Sequence, residues 1–371
     1  MSEPPKSGPR ARRREARAGS LDVVARTLGI SRTTVSNAYN RPDQLSPQLR
    51  ERILRTADNL GYPGPNPIAR SLRTARAGAI GLVLTESMHG ALRDPAAMEF
   101  FEAFIDVCEQ NRTGVLLLPA RRGARAVEAI RGAVVDSFVI YLVPNDDPVL
   151  RAVVARSLPT VIVDGGIELP RTTTINVNDV TAATDLADYL GGLGHRRVAI
   201  VSTPLVLERS RTEQFGAFAS IERQRASMQR VAADRLLGLA QGFDRHGVNF
   251  LDVPVFECAE RSVAAGRYAA QKLLERDPSL SAIVCLSDVL AEGVLSAAAD
   301  CQRAVPEQLS VSGFDDVPVA AQLGLTTVGQ GLTDKGRLAA EILLEGSSSD
   351  PERILLDAKL RIRSTTGPPA T

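Results

Sequence analysis

The chain of 371 residues lacks the residue types and segments that mark several protein classes. It has no tryptophan, and its four cysteines form no Cys-x-x-Cys pair: Cys108, Cys258, Cys285 and Cys301. This spacing argues against a disulfide framework or a zinc site and favours buried, reduced thiols. No apolar run approaches the ~18–20 residues that span a bilayer, and the basic N-terminus is not followed by the apolar stretch of a secretory signal. We therefore expect a cytoplasmic protein with no membrane partner.

Common enzyme signatures are missing as well. No Gly-x-Gly-x-x-Gly opens a helix, and no Gly-x-x-x-x-Gly-Lys-Ser/Thr loop is present. His89, His195 and His246 have no metal-ligand spacing, and His195 is predicted to hold a helix–strand turn. The acidic pair Asp315–Asp316 has no nucleophile beside it. We expect no catalytic residue, no cofactor and no metal.

The net charge of +1 hides an uneven distribution of charge along the chain. Residues 1–76 hold 15 basic and 6 acidic residues, whereas the remainder holds 29 basic and 37 acidic residues. This segregation indicates a small basic module that meets a polyanion, followed by a larger acidic body.

Residues 20–62 are predicted to form three short helices. Ser20 precedes LDVVARTL, Ser31 precedes RTTVSNAYN, and Ser46-Pro47 opens QLRERILRTADNLGY, so each serine is placed as an N-cap. Within each helix the apolar residues recur on one face. Residues 1–19 read as a disordered basic arm, and residues 63–77 as a Pro-rich hinge or linker with three arginines.

From Gly78 to residue 366 the pattern changes to apolar strands that alternate with helical stretches, and residues 367–371 form a tail. Such alternation predicts parallel sheets covered on both faces. The number of strands favours two lobes, with the chain crossing between them at residues 176–179. The candidate strands are AIGLVL (79–84), TGVLLLP (113–119), SFVIYLV (137–143), PTVIVDG (159–165), RRVAIVS (196–202), DVPVF (252–256), SAIVCLSD (281–288) and LSVSGFDD (309–316).

The motif LDVVARTLGISRTTVSNAYN resembles the LacI/GalR family of lactose-repressor-type transcription factors. The resemblance continues in the family's order through LSPQLRERILRTADNLGY, PNPIARSLR, AIGLVL, VIVDGG, LGHRRVAIVS, SDVLAEGVLSAA, VSGFDDVPVA and LRIRST, over residues 20–366. It implies an all-α helix-turn-helix DNA-binding domain, plus an α/β two-lobed periplasmic-binding-protein-like effector domain that also dimerises.

The second predicted helix is the one that would enter the major groove. Its outward side chains are Arg32, Thr33, Ser36 and Asn37, and the resemblance places Arg32, Thr33 and Asn37 at base-reading positions. Arginine suits guanine O6 and N7, asparagine suits adenine N6 and N7, and threonine suits the thymine methyl group. Many relatives have arginine at the position of Asn37 and an aliphatic residue at that of Tyr39.

Other candidate DNA contacts surround this helix. Phosphate contacts, which set affinity and register, are predicted at Thr34, Asn40, Ser46 and Arg50. In relatives a hinge leucine wedges into the minor groove. Leu72 holds that position here, flanked by Asn66, Ala69 and Arg70, and the loop before the hinge carries one residue more than is usual.

Ligands of open α/β sheets lie beyond the carboxyl ends of the strands. By the resemblance, Asp164, Arg235, Ser287 and Asp315 match positions that contact sugar or nucleobase effectors. Asp94 either joins them or caps the helix that it precedes. For Asp288 and Asp316 the prediction is structural capping.

Two features of the sequence leave the identity of the effector undetermined. Residues 202–234 form an unusually long connection, predicted to be either a flap over the cleft or an added surface helix. Aromatic residues are scarce, and Phe314 or Phe215 is the candidate stacking platform.

The sequence thus predicts a cytoplasmic, nucleoid-associated transcriptional regulator that binds a pseudo-palindromic double-stranded operator as a homodimer. Its affinity for this operator is expected to be controlled by a sugar, a sugar derivative, or a nucleoside or purine. Repression is expected, with activation as the alternative, because the sign depends on the position of the operator. Helices of the first lobe, including residues 95–110, are expected at the dimer interface, and no leucine heptad supports a tetramer. The rival classes are a transport-type sugar-binding module and an α/β sugar-processing enzyme.

Overall fold

The computed structural model describes residues 20–65, 76–84, 88–119, 123–144, 147–166, 169, 171–206, 215–346 and 352–370. The chain divides into two compact units, Met1–Ala77 and Gly78–Thr371. The predicted basic arm and the hinge candidates Asn66, Ala69, Arg70 and Leu72 lie outside the described residues.

Within residues 20–65 the first unit contains three α-helices: α1 (Leu21–Leu28), α2 (Arg32–Asn40) and α3 (Pro47–Asn59), with a 3-10 turn at Pro42–Gln44. Their small core includes Val24 from α1, Val35 from α2 and Ile53 from α3, all fully buried. Gly29 ends α1 in the left-handed conformation at φ 67°, which a glycine adopts without steric cost. The three predicted helices are therefore confirmed.

The predicted N-caps have different outcomes. The hydroxyl of Ser31 accepts from the Thr34 N–H at 3.0 Å, and that of Ser46 accepts from the Leu49 N–H at 3.3 Å, so both caps are confirmed. The prediction for Ser20 is wrong, because its side chain makes no capping hydrogen bond in the described part of the chain.

The first lobe of the second unit is a parallel sheet with helices on both faces. Its first part consists of β1 (Ala79–Leu84), α4 (Met88–Ala91), α5 (Pro95–Gln110), β2 (Gly114–Pro119), α6 (Ala124–Gly132), β3 (Ser137–Tyr141), α7 (Pro148–Val154), β4 (Thr160–Val163) and β5 (Thr172–Val177). Strands β1, β3 and β4 are almost entirely buried, as their continuous apolar runs predict for a sheet covered on both faces. Strand β5, TTTINV, is equally buried but was not among the predicted strands, because its threonines form no apolar run.

The second lobe repeats this plan with a shorter sheet. It consists of α8 (Asp179–Gly192), β6 (Val198–Ser202), β7 (Gly216–Phe218), α9 (Ile221–Arg225), α10 (Arg230–Asp244), a 3-10 turn (Phe250–Asp252), β8 (Val255–Cys258), α11 (Val263–Arg276), β9 (Ala282–Cys285), α12 (Asp288–Asp300), β10 (Ser310–Ser312), α13 (Pro318–Gln322) and β11 (Thr327–Gly329). The sheet order is β10-β9-β6-β8-β7, with β7 antiparallel to β8.

The chain then returns to the first lobe through α14 (Leu332–Glu345) and β12 (Glu352–Leu356), and ends with β13 (Lys359–Arg361), which pairs with β11. Strand β12 completes a six-stranded sheet of order β12-β5-β4-β3-β1-β2. Helix α14 lies close against α5: a Cβ on Gly336 would come within 2.3 Å of the Phe100 carbonyl oxygen. Since β5 ends at Val177 and α8 begins at Asp179, the chain changes lobe inside the predicted segment 176–179.

Several strands are shorter than the apolar runs that predicted them, and backbone conformation accounts for two of these differences. The run 137–143 forms a strand only to Tyr141, because Leu142 has φ 52°. The run 309–316 forms a strand only over Ser310–Ser312, and Asp315 and Asp316 have φ 136° and 61°. Positive φ in residues other than glycine is uncommon and concentrates at functional sites.

The long connection 202–234, for which a flap or an added surface helix was predicted, extends the edge of the sheet in its described part. Its described part contains the edge strand β7 and the short helix α9, so the expected added helix is present. Glu257 on β8 holds the connection in place: its carboxylate accepts from the Leu205 N–H at 2.9 Å and pairs with Arg223.

Candidate functional site

The outward face of α2 carries the four predicted base-reading residues. Val35 and Ala38 are fully buried, which turns the opposite side of the helix towards solvent. Arg32 and Thr33 are exposed, and Ser36 and Asn37 are half-buried. A helix that presents polar side chains in this way fits the width of the major groove.

Two of these side chains make local contacts. Arg32 Nε lies 2.6 Å from Asp22 Oδ1 on α1, with both side chains largely exposed. Asn37 Nδ2 donates to Gln44 Oε1 at 3.2 Å. Exposed pairs of this kind contribute only about 0–1 kcal/mol, so both side chains can exchange their partners for base edges at little cost.

The predicted phosphate-contacting residues lie around the same helix. The Thr34 hydroxyl is 2.8 Å from Ser31 Oγ, and Asn40 Nδ2 donates to the Ser36 carbonyl at 3.1 Å. Arg50 Nε on α3 donates to the Ala38 carbonyl at 3.2 Å. Arg50 thereby ties α3 to the end of α2 through one nitrogen and keeps its two terminal nitrogens for other acceptors.

A cavity of about 30 Å³ lies between the lobes of the second unit, where β3, β4 and β9 end. Both lobes contribute charged side chains to its lining: Asp94, Asp164, Arg235, Arg261 and Asp315. Four of the five predicted effector residues therefore line one cavity. The fifth, Ser287, lies behind Asp315 and donates its hydroxyl to Asp315 Oδ2 at 2.9 Å.

Asp164 directly follows β4 and has the left-handed φ of 56°. Both carboxylate oxygens accept from Lys335 Nζ on α14, at 2.7 and 2.8 Å. Lys335 has no solvent-exposed surface, and Asp164 retains only 4%. The pair is thus a buried salt bridge that fixes one wall of the cavity.

Asp315 supplies a carboxylate from the second lobe. Besides the Ser287 bond, its Oδ1 accepts from Gln330 Nε2 at 2.6 Å. Burial raises the pKa of Asp315 to about 6, against the opposing effect of Arg235. The carboxyl group therefore holds its proton more tightly than an exposed aspartic acid does.

Arg235 on α10 is held from several sides. Its Nε donates to Asp179 Oδ1 at 3.0 Å, and Nη1 donates to the Leu286 carbonyl at 2.8 Å and lies 3.7 Å from Asp315. The guanidinium also covers the Phe314 ring at 3.7 Å from its centroid. Phe314 is buried beneath this cation and is not a lining residue of the cavity, so it offers no ligand platform. Phe215 packs against Tyr268 instead.

Asp94 caps the helix that it precedes, one of its two predicted roles, and it also lines the cavity. Its Oδ1 accepts from the Ala96 N–H at 3.1 Å, which caps α5, and its Oδ2 lies 3.8 Å from Arg261 Nη1 at the cavity. The hydroxyl of Tyr141 completes this side, and burial raises its pKa well above the usual value. Tyr141 therefore stays a neutral hydrogen-bonding group.

Asp288 and Asp316 make structural contacts with other segments of the second lobe. Among the described residues, Asp288 does not cap α12, which it begins, and Asp316 does not cap α13, which it precedes. Asp288 accepts from the Thr327 hydroxyl at 2.5 Å and from the Val317 N–H, at the start of α13, at 3.0 Å. Burial raises the pKa of Asp288 to about 6. Asp316 pairs with Arg363 at 2.6 Å.

Sequence reasoning missed the partners that hold these side chains, chiefly Lys335, Gln330, Asp179 and Arg261. For Lys335 a signal was present. In α14 the buried residues Leu332, Lys335, Ala339 and Leu343 recur at helical spacing, which places a lysine within the apolar stripe.

The remaining titratable residues do not form a metal-binding cluster in the described part of the chain. No group of three or more His, Cys, Asp or Glu side chains there is arranged to hold a metal ion. His195 is buried and hydrogen-bonds Ser281 Oγ and the Gly367 carbonyl, both at 2.9 Å, which matches the structural role predicted for it. Among the described helices, none is both long and apolar enough to cross a membrane.

Comparison with known proteins identifies this architecture. Residues 187–366 match the family described as periplasmic binding protein-like domain. The chain is 40% identical, over 95% of its length and 98% of the relative, to an HTH-type transcriptional regulator of Mycobacterium tuberculosis. A crystal structure of a LacI family regulator from Corynebacterium glutamicum has a TM-score of 0.71 and 33% identity, covering 94% of this chain and 98% of that one. The chain belongs to the LacI family of helix-turn-helix transcriptional regulators.

More distant structures share the fold. The lac repressor dimer bound to operator and the anti-inducer ONPF has a TM-score of 0.73 at 21% identity, covering 94% of this chain and 99% of that one. The CelR–cellobiose complex has a TM-score of 0.66 at 23% identity, covering 93% and 99%. The predicted fold class, a helix-turn-helix module followed by a two-lobed periplasmic-binding-protein-like body, is confirmed.

Proposed function

We propose that this chain is a homodimeric, cytoplasmic repressor whose affinity for a pseudo-palindromic operator is controlled by a small molecule bound between the two lobes. The observation that carries the proposal is the cavity, in which buried charged side chains from both lobes converge at the carboxyl ends of parallel strands. Because a cavity of about 30 Å³ holds only about two water molecules, a ligand of sugar size requires the lobes to separate, so its binding changes the relation between them.

In this proposal α2 reads the operator through Arg32, Thr33, Ser36 and Asn37. The exposure of Arg32 and Thr33 and the weak local contacts of Arg32 and Asn37 support it. Thr34, Asn40, Ser46 and Arg50 contact phosphates and set the register. Leu72 wedges into the minor groove, with Asn66, Ala69 and Arg70 beside it.

The effector is a sugar, a sugar derivative or a nucleoside, bound by Asp94, Asp164, Arg235 and Asp315, with Ser287 orienting Asp315. Carboxylates and a guanidinium form paired hydrogen bonds with neighbouring hydroxyl groups or a base edge. The cellobiose bound by the distant structural relative CelR supports the sugar class. Effector binding moves the first lobes relative to each other in the dimer and thereby orders or melts the hinge near Leu72.

Exposed apolar side chains of the first lobe support the dimer. On α5, Met98 and Ile105 are 39% and 42% exposed, although the same helix buries Phe100 and Phe104. Strand β2 lies at the edge of its sheet, and Leu116 and Leu117 on it are each 38% exposed. An exposed apolar edge strand is an aggregation hazard unless another chain covers it.

The proposal is tested in two stages. A binding-site selection from random duplexes should recover a pseudo-palindromic sequence, as two-fold protein symmetry requires. A panel of monosaccharides, disaccharides, polyols and nucleosides should then contain a compound that raises the melting temperature of the protein and changes its affinity for the selected duplex. Recovery of no sequence preference, or a panel that changes neither quantity, would contradict the proposal.

A further inference from the structure

The side-chain ammonium group of Lys335, in the second unit, finds all of its hydrogen-bond acceptors inside the protein. The Lys335 ammonium has three N–H donors, and it has three acceptors: Asp164 Oδ1 at 2.7 Å, Asp164 Oδ2 at 2.8 Å and Gln330 Oε1 at 2.8 Å. Lysine is almost never fully buried unless it is paired. The other described lysines, Lys272 and Lys359, are not buried.

The lysine also determines the orientation of the neighbouring amide. Because an ammonium only donates, it requires the oxygen of Gln330 on its side, and Gln330 Nε2 then faces Asp315 Oδ1 at 2.6 Å. Asp164 of the first lobe and Asp315 of the second are therefore linked through two buried side chains. Both carboxylates line the cavity, and both are fixed from behind by this chain of hydrogen bonds.

The charges around the cavity balance only when Lys335 is included. Three carboxylates line it, Asp94, Asp164 and Asp315, and two guanidinium groups, Arg235 and Arg261. The buried ammonium behind Asp164 supplies the third positive charge. Behind Arg235, outside the lining, Asp179 pairs with both Arg235 and Arg230, and Arg230 also pairs with Asp234.

A ligand with a net charge would disturb this balance inside a buried site, where an uncompensated charge is costly. The lining is also poor in aromatic faces: Tyr141 is stacked on Phe100, with ring centroids 4.8 Å apart. Burial of a nucleobase or a phosphorylated sugar in this site would therefore be less favourable than burial of an uncharged molecule with many hydroxyl groups.

We propose that Lys335 is a specificity-determining residue of the effector site: it positions Asp164 and Asp315 and sets the charge of the cavity so that the site accepts an uncharged polyhydroxylated ligand. The residue acts through the two aspartates and not through its own contact with the ligand. This inference rests on the proposed function, because it assumes that the cavity is the effector site.

The contacts of Lys335 are directly measurable because the chain has only four lysines, Lys6, Lys272, Lys335 and Lys359. In protein labelled with ¹⁵N-lysine, the side-chain ammonium spectrum should contain one slowly exchanging signal. Lys335→Met should remove it, and Asp164→Asn should shift it and speed its exchange. Absence of such a signal in the wild type, or a signal that Asp164→Asn leaves unchanged, would overturn the proposal.

The specificity is tested with neutral sugars and polyols, each paired with its amino-substituted counterpart. Lys335→Met leaves Asp164 without its cation, so the affinity ratio of amine to neutral ligand should rise by about tenfold or more, which corresponds to about 1.4 kcal/mol. The double variant Lys335→Met/Asp164→Asn removes both charges and should return the ratio towards that of the wild type; it also serves if the single variant fails to fold. Lys272→Met, on the surface of α11, is the matched control and should keep the wild-type ratio.

The two proposals fail in different ways. A wild-type protein that binds no compound of the panel and whose operator affinity does not change contradicts the effector function itself. A wild type that responds to a neutral ligand, together with a Lys335→Met variant of unaltered charge preference, overturns only the role of Lys335.

Discussion

The proposed DNA-reading surface of α2 and the proposed effector cavity of the second unit hold their polar side chains in opposite ways. On α2 the contacts are short-range and exposed: Asn37 bonds a residue seven positions away, and Arg32 pairs with Asp22 at the surface. In the cavity the contacts are buried and long-range, since Asp164 and Lys335 are 171 residues apart. The first set exchanges partners readily, as base reading demands, whereas the second is expensive to disrupt.

This difference in contacts fits the proposed functions of α2 and of the cavity. A recognition helix must release its own contacts whenever DNA arrives, so weak surface pairs are an advantage. A sensing cavity must hold ionised groups in a defined geometry without water, which requires that each has a partner inside the protein. The following predictions test the contrast.

Removal of Arg235 should have the largest effect on stability. Arg235→Ala removes the buried cation next to Asp315 and leaves Asp179 with Arg230 alone, so the free energy of unfolding should fall by about 3–5 kcal/mol. The effector response should disappear, while the operator affinity of the folded protein is retained. Denaturant unfolding at neutral pH measures the first quantity.

Arg245→Ala is the control for this experiment. Arg245 follows the same helix, is 59% exposed and pairs with Asp188 at the surface, so its loss should cost about 0–1 kcal/mol. Equal losses in the two variants would mean that burial does not distinguish the cavity from the surface.

Asn37→Ala should alter base preference at one position of each half-site, by about 1–3 kcal/mol. The asparagine can bond both adenine N6 and N7, and alanine can bond neither. Competition between duplexes that differ at single positions measures the effect. Asn59→Ala, at the exposed end of α3, should leave every preference unchanged, and an equally unchanged profile for Asn37→Ala would remove it from the reading face.

The free energy of unfolding should depend on pH partly through the titration of Asp288. Its pKa is raised from 3.8 to about 6 by burial, so the folded state binds the proton more tightly than the unfolded state does. The stabilisation is fully present below the unfolded value and is lost as the pH rises through about 6.

Relative to Asp288→Asn, the wild type should therefore gain on the order of 1–2 kcal/mol between neutral pH and pH ~4. Unfolding by denaturant across this range provides the comparison. Asp300→Asn, exposed at the other end of α12, should follow the wild type. A wild type that loses stability relative to Asp288→Asn on acidification would show that the sign is wrong.

The smallest effect concerns two serines at adjacent helices of the first unit. Ser31→Ala removes an observed cap and should cost about 1 kcal/mol. Ser20→Ala removes no capping bond and should cost a few tenths at most. The helical signal of the two variants on thermal unfolding tests this, and equal costs would restore Ser20 as a cap.

Local features were predictable from the sequence. The caps at Ser31 and Ser46, the apolar faces of the three helices and the buried parallel strands all depend on residues that are neighbours in the chain or repeat with a fixed period. Ser20 shows the limit of that reasoning, because the residue type was suitable but its side chain makes no capping hydrogen bond.

The cavity was predictable only in part. The positions of Asp164, Arg235 and Asp315 at strand ends and on α10 followed from the alternation of strands and helices and from the family resemblance. Their partners did not, because Lys335 and Gln330 reach the cavity after the chain has passed through the second lobe and returned. The positive φ of Leu142 and Asp315, which shortens two strands, also depends on this tertiary setting.

The central claim is that occupation of the cavity changes the affinity of the helix-turn-helix module for DNA. The most direct test is the dissociation constant for the selected operator at fixed salt, without and with a saturating effector. The account predicts a change of about 5–150-fold, equivalent to about 1–3 kcal/mol of coupling, which Arg235→Ala abolishes. An operator dissociation constant that is the same in both conditions, although the ligand is bound, would contradict it.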